Sequence, residues 1–306
     1  MDTNLDDLAT ALYVTCDDLL RNHPERVAQH RAGTFPARIA DAEILTLSVM
    51  QAILGYTSER RWIRFADAHL RAMFPTLPGQ SGYNKRIRAL ATTMVWLTRT
   101  LAAMTSVGDD CVWVADSTPV ECGRSRETAL RSEAAGFAEY GYCASHTRYF
   151  WGLRLHLVTT LHGVPVGWAL TGAKADEREV LHDILTGTPE LVEQVCTMRP
   201  TIIADKGYHG RAFEAALTEA GITLLRPTRK GEKQRPGERF FKPLRQIIES
   251  VNDTFKGQLD LEHHGGRTFG GICARVAQRV LALAAAIWHN DEIQAPVRRS
   301  LTAYDH

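Results

Sequence analysis

Two aspartates stand where chemistry could be done. Asp116 closes the run Val112-Trp113-Val114-Ala115, and Asp205 closes Thr201-Ile202-Ile203-Ala204. Each run is short, apolar and rich in strand formers, so each reads as a central strand that delivers one Asp at its end. A carboxylate at the end of a buried strand is costly to desolvate unless it has a partner or a metal. Pro119 is expected to stop the first strand soon after Asp116. Two such strands are what metal chemistry would require. The ordinary alternative is a pair of strand-end turns capped by Asp.

A third carboxylate lies on a helix. Leu244, Ile248, Val251, Phe255 and Leu259 recur at the three-four spacing of an amphipathic helix. At about 100° per residue, Arg245, Glu249 and Lys256 fall within roughly 40° of one another, on a strip bordering the apolar face. Glu249 is then expected where the helix meets the sheet. The alternative is a solvated, salt-bridged helix edge.

Taken together, the order of an Asp at a strand end, an Asp in Ala204-Asp205-Lys206-Gly207-Tyr208, and Arg245-x3-Glu249-x6-Lys256 resembles the insertion-sequence DDE transposases. The helix spacing matches three of the four positions of their Tyr-Arg-Glu-Lys signature. The Tyr position is Lys242 here, beside Phe240 and Phe241. The Asp-Ser-Thr-Pro and Ala-Asp-Lys-Gly-Tyr wording is most similar to the insertion-sequence 982 family. The resemblance covers about residues 110 to 290. It implies an α/β fold with a ribonuclease H-like mixed sheet flanked by helices, and Asp116, Asp205 and Glu249 as the catalytic and metal-binding triad. It also implies Mg²⁺ or Mn²⁺, two ions, as cofactor, since hard oxygen ligands select these metals. Asp116 would bridge the ions, with Asp205 and Glu249 on one each. Lys206, Arg245 and Lys256 would hold phosphates. The partners implied are double-stranded DNA, as element ends and as target, and a second copy of the chain, as a homodimer or larger assembly on DNA. The expected location is the bacterial cytoplasm, at the nucleoid when DNA is bound, with no membrane partner.

The cations are unevenly spread. Net charge over 306 residues is only +1, yet from Arg226 to Arg245 eight cations face only Glu232 and Glu238. Such a stretch suits a phosphate backbone, with Arg229, Lys230 and Lys233 as its DNA-binding residues. A solvated loop is the alternative. Apolar content of 44% and charged content of 23% are those of an ordinary globular protein. No run approaches the length of a transmembrane helix, and the acidic start lacks a signal-peptide pattern. The six cysteines include no Cys-x-x-Cys pair, which argues against a zinc site or a disulfide framework.

The elements that must position these residues follow from periodicity and punctuation. Residues 1–108 read as a helical, candidate DNA-binding region. Helices are expected over residues 5–21, from Asp41 to Gly55, from Ser58 to about Pro75, and from about Tyr83 to Met104. The second and third could form a helix-turn-helix presenting Arg60, Arg61 and Arg64, with Lys85, Arg86 and Arg88 next, although plain bundle packing explains a helix pair as well. Residues 109–290 read as the catalytic domain. Its expected order is the Asp116 strand, an irregular stretch with a short helix over 121–149, a hairpin of Trp151–Thr160 with Val164–Thr171, and a helix capped by Asp176. The Asp205 strand, a helix over 211–220, a strand over 222–225 and the Glu249 helix follow. An apolar helix spans about 272–289, and 291–306 reads as a loose tail. His156 reads as a structural histidine. Two further functions fit the same residues: a nuclease of this fold without strand transfer, and a transposase-derived DNA-binding protein that has lost catalysis.

Overall fold

The computed structural model describes residues 3–27, 38–123, 125–143, 147–233, 235 and 241–304. The chain forms two compact units, Met1–Met104 with Phe255–His306, and Thr105–Thr254.

The first unit is helical: α1 Thr3–Asn22, α2 Asp41–Ile53, α3 Glu59–His69, α4 Gln80–Ala89 and α5 Ala91–Met104. The long helix expected from Tyr83 is broken at Leu90, between α4 and α5. The C-terminal helix α11, Phe269–Glu292, belongs here and not to the sheet domain. Almost every residue from Ile272 to Asn290 is buried, so the helix needs neighbours all round, and α1, α2, α4 and α5 supply them. It is long and apolar enough to cross a bilayer, which amends the expectation from sequence, but it is buried as a core helix. Several of its polar side chains are paired: Gln278 Nε2 donates to Ser48 O at 2.7 Å and to Gln51 Oε1 at 3.2 Å, and Arg275 pairs with Glu59. The tail is not loose either. Leu301 and Tyr304 are buried, and Tyr304 OH donates to Asn290 Oδ1 at 2.8 Å. Arg60, Arg61 and Arg64 are exposed on α3, as are Lys85 and Arg88 on α4. Arg86 is instead spent on structure: it donates to Ile39 O at 2.7 Å and pairs with Asp41 at the start of α2.

The second unit is a mixed six-stranded sheet with helices on its faces, a ribonuclease H-like fold. Its strands are β1 Val112–Gly123, β2 Glu139–Cys143, β3 Arg148–Thr160, β4 Pro165–Gly172, β5 Thr201–Ile203 and β6 Thr223–Leu225, ordered β2-β3-β1-β5-β6 with β4 also on β3. β3 runs antiparallel to β1, β2 and β4, whereas β5 and β6 run parallel to β1. The helices are α6 Arg126–Arg131, α7 Glu177–Thr186, α8 Pro189–Met198, α9 Arg211–Glu219 and α10 Phe241–Asp253. Trp113, Ala115 and Val158 point to the face covered by α7 and α8 through Leu181, Ile184 and Leu191. Alternation turns Val114 and Asp116 to the other face, where α10 packs on β1.

β1 does not stop at Pro119. Pro119 stays in register with Arg154, and the strand continues to Gly123. The reason is local: β5 ends at Ile203, opposite Val114, so beyond that point β1 has a strand partner on one side only. A proline is tolerated on such an edge. Within 121–149 the expected short helix is α6, whereas the end of β1 and the short strand β2 were not expected. α8 was not expected. Its signal is present in Thr188-Pro189, an N-cap whose side chain accepts from Leu191 N at 3.4 Å, followed by proline at the first helical turn.

Candidate active site

Asp116 and Asp205 are brought together by strand register. Val112, Trp113 and Val114 pair with Thr201, Ile202 and Ile203 in parallel, and two further residues along each chain lie Asp116 and Asp205. Beyond Ile203 the second chain leaves the sheet, so Asp205 is exposed while Asp116 stays half-buried. Asp205 folds into its own turn: its Oδ1 accepts from Gly207 N at 2.6 Å. A Cβ on Gly207 would sit 2.8 Å from that oxygen, so a larger residue there would displace the Asp205 carboxylate. Arg178, next to the α7 N-cap Asp176, donates to His209 O at 3.0 Å and holds the far end of the loop.

Around this pair the fold adds residues that sequence reasoning passed over. Glu177, at the start of α7, accepts from Ser117 Oγ at 2.6 Å and from Arg154 Nη1 at 2.8 Å, and Arg154 Nη1 also donates to Ser117 Oγ at 2.9 Å. This triangle ties β1, β3 and α7 beside Asp116. From the other face, Asn252 of α10 donates to Asp116 Oδ2 at 2.9 Å. Tyr208 is buried beneath the group, and burial, then the charges of Glu177, Asp116 and Asp205, hold its phenol protonated. Each had a readable trace. Glu177 follows a helix cap, Arg154 interrupts an apolar strand, and Asn252 sits between Val251 and Phe255 on the buried side of its helix.

The electrostatics are those of crowded acids. Burial pushes Asp116 up to about 6, and the nearby charges of Asp205 and Glu177 add to the rise, against the hydrogen bonds from Ser117 N and Asn252. Among the described residues, no three His, Cys, Asp or Glu side chains converge closely enough to hold a metal unaided. The donors present nonetheless fit a hard divalent cation: all are oxygens, and a cation would relieve the mutual repulsion that raises Asp116.

Glu249 is exposed on α10, one helical turn before Asn252. Ile248, Val251, Phe255 and Leu259 are buried, as their spacing predicts. The helix nevertheless changes winding: residues Thr254–Gln258 form a π-helical turn. The angular step that placed Lys256 on the Glu249 strip therefore does not carry past Asp253. Lys256 is half-buried in that turn, and the side chain of Arg245 lies outside the described residues.

The cationic stretch is less positive than its composition. Arg226 is 2% exposed and pairs with Glu214 and Glu232, and Arg235 also pairs with Glu214. Arg229, Lys230 and Lys233 are exposed, as is Lys206 next to Asp205.

Residues 108–269 match the family model for the transposase DDE domain. The chain belongs to this family, whose members act on DNA and generally use divalent metals. No curated protein matches the sequence.

Proposed function

We propose that the protein catalyses metal-dependent cleavage and strand transfer of an insertion sequence, with Asp116, Asp205 and Glu249 as its catalytic carboxylates. The observation that carries this reading is the register that runs the Asp116 and Asp205 segments side by side on the central strands of a ribonuclease H-like sheet, in a chain of this family. Asp116, Asp205 and Glu249 would hold two Mg²⁺ or Mn²⁺ ions. Such ions, when bound, activate an attacking oxygen and stabilise the leaving one.

The chain's own groups do the rest. The Glu177–Ser117–Arg154 triangle and Asn252 keep the Asp116 carboxylate in place, so little reorganisation is needed when substrate arrives. Lys206 is poised next to Asp205 for a phosphate, and Arg229, Lys230 and Lys233 for the backbone further along. Arg245 and Lys256 join them through the Arg-x3-Glu-x6-Lys spacing alone. Phosphate contacts of this kind set position and carry no sequence information. The substrate is double-stranded DNA, first as the element's ends and then as target, bound by two or more copies of the chain in the bacterial cytoplasm. The Asp-Ser-Thr-Pro and Ala-Asp-Lys-Gly-Tyr wording supports the insertion-sequence 982 group within the family.

The test offers the protein paired terminal DNA ends, a target duplex and Mg²⁺, and looks for joined products. Joined ends support transposition. Cleavage without joining would leave a nuclease of the same fold, and DNA binding without either would leave a binding protein.

A further inference from the structure

Within the second unit, one carboxylate links the Asp205 loop to the cationic turn. Glu214 lies in the first turn of α9, immediately after that loop. Its Oε1 accepts from Gly210 N at 3.3 Å, from Arg226 Nε at 2.9 Å and from Arg226 Nη2 at 2.8 Å, and its Oε2 accepts from Arg235 Nη2 at 2.6 Å. Arg226 turns its other edge to Glu232, Nη1 to Oε2 and Nη2 to Oε1, both at 2.9 Å. Glu232 closes the turn: its N donates to Arg229 O at 3.0 Å, and its Oε2 accepts from Arg229 N at 3.0 Å. Gly231, at φ +91°, supplies the left-handed third position such a turn requires. Arg235 N donates to Thr228 Oγ1 at 3.0 Å.

We propose that Glu214 is a positioning residue: through Arg226, Arg235 and Glu232 it fixes the turn carrying Arg229, Lys230 and Lys233 at a set distance from the Asp205 loop, so that these cations meet the DNA backbone in register with the cleaved bond. The inference rests on the reading that these three cations bind DNA. Its logic is the difference between charge and placement. A buried, doubly paired guanidinium is a rigid strut. The same pairing removes Arg226 and Arg235 from the pool of cations available to phosphate. Glu214 therefore lowers the positive charge of the segment while ordering it.

The two roles give opposite signs when Glu214 is neutralised in the full-length chain. Binding of the Glu214→Gln variant to a mixed-sequence DNA duplex is measured over a salt series, together with limited trypsin digestion of the DNA-free protein after Arg229, Lys230 and Lys233. The expected result is weaker binding, by about tenfold, although the variant is one unit more positive, and a slope of log affinity against log salt flattened by about 2, as two phosphate contacts are lost. Trypsin should cut the turn faster than in the wild type. Equal or tighter binding overturns the proposal, because bulk charge would then account for the whole effect. An unchanged cutting rate overturns it independently of DNA. The variant Arg229→Ala/Lys230→Ala/Lys233→Ala separates the underlying reading: if it binds DNA like the wild type, the DNA role of the turn falls and the proposal with it, whatever trypsin shows. Should Glu214→Gln fail to fold, Arg235→Gln breaks the same brace at its more exposed member. Faster trypsin cutting of that variant is then expected, and an unchanged rate overturns the proposal.

Discussion

Asp116 and Asp205 are separated by the same interval as Val114 and Ile203, which are paired in the parallel ladder of β1 and β5. The register thus delivers the two chain segments side by side, and the turn after Ile203 then sets the Asp205 carboxylate. The strand that would shield their edge ends just before them. This explains why Asp116, near the core, still shares a field with an exposed Asp205 and with Glu177.

That crowding predicts a pH and metal response. The folded-state pKa of Asp116 is raised to about 6. Its contribution is thus fully present below the ordinary value near 4 and is lost as pH rises through about 6. In metal-free protein, Asp116→Asn should raise the melting temperature at pH 7.5, by the equivalent of up to about 3 kcal/mol. Added Mg²⁺ should stabilise the wild type and leave this variant unchanged. Equal Mg²⁺-induced shifts in both proteins would place the ion elsewhere.

Asn252 holds Asp116 Oδ2 from α10. Asn252→Ala should lower stability by about 1.5–3 kcal/mol, the range for a hydrogen bond to a charged group. Cleavage should fall with DNA affinity unchanged. Chemical denaturation and DNA titration on one preparation check both. Normal cleavage in the variant would make Asn252 a packing residue only.

His156 supplies the opposite pH sign. Burial, then the charge of Arg154, holds it down to about 4, and its Nε2 lies 3.0 Å from Thr171 Oγ1. A depressed histidine gives stability that is present above about 6.5 and lost as pH falls toward 4. In the wild type this loss runs against the gain from Asp116 over part of the same range. His156→Gln should lose less melting temperature than the wild type between pH 6.5 and 4.5. Identical curves would show that the ring is protonated without penalty.

How far the sequence alone reached is a matter of which interactions are local. Each Ala-Asp at the end of an apolar run is visible in a few residues, and so is the helix carrying Glu249. β2, Glu139-Tyr140-Gly141-Tyr142-Cys143, has no run of apolar side chains to announce it and depends on β3 for its pairing. The place of α11 is decided by what surrounds it: an all-round apolar helix is legible as buried, but not as buried among α1, α2, α4 and α5. Glu177 and Arg154 meet across 23 positions, and Arg226 meets Glu214 across 12. A charge count therefore took Arg226 and Arg235 for free cations. The π turn over Thr254–Gln258 breaks the regular helical step on which the placing of Lys256 relied. Regular helical geometry could not foresee it.

The central claim is that Asp116, Asp205 and Glu249 act together on a phosphodiester. The most direct measurement is single-turnover cleavage of a terminal-repeat duplex in Mg²⁺ by Asp116→Asn, Asp205→Asn and Glu249→Gln, with DNA affinity measured on the same preparations. The account predicts that each variant binds DNA as tightly as the wild type and that each loses cleavage by at least about a hundredfold, the scale of a lost transition-state electrostatic contact. Near-normal Mg²⁺-dependent cleavage by any one of them would remove that carboxylate from the site. For Glu249, which is exposed on α10, such a result would leave the chemistry to Asp116, Asp205 and their neighbour Glu177.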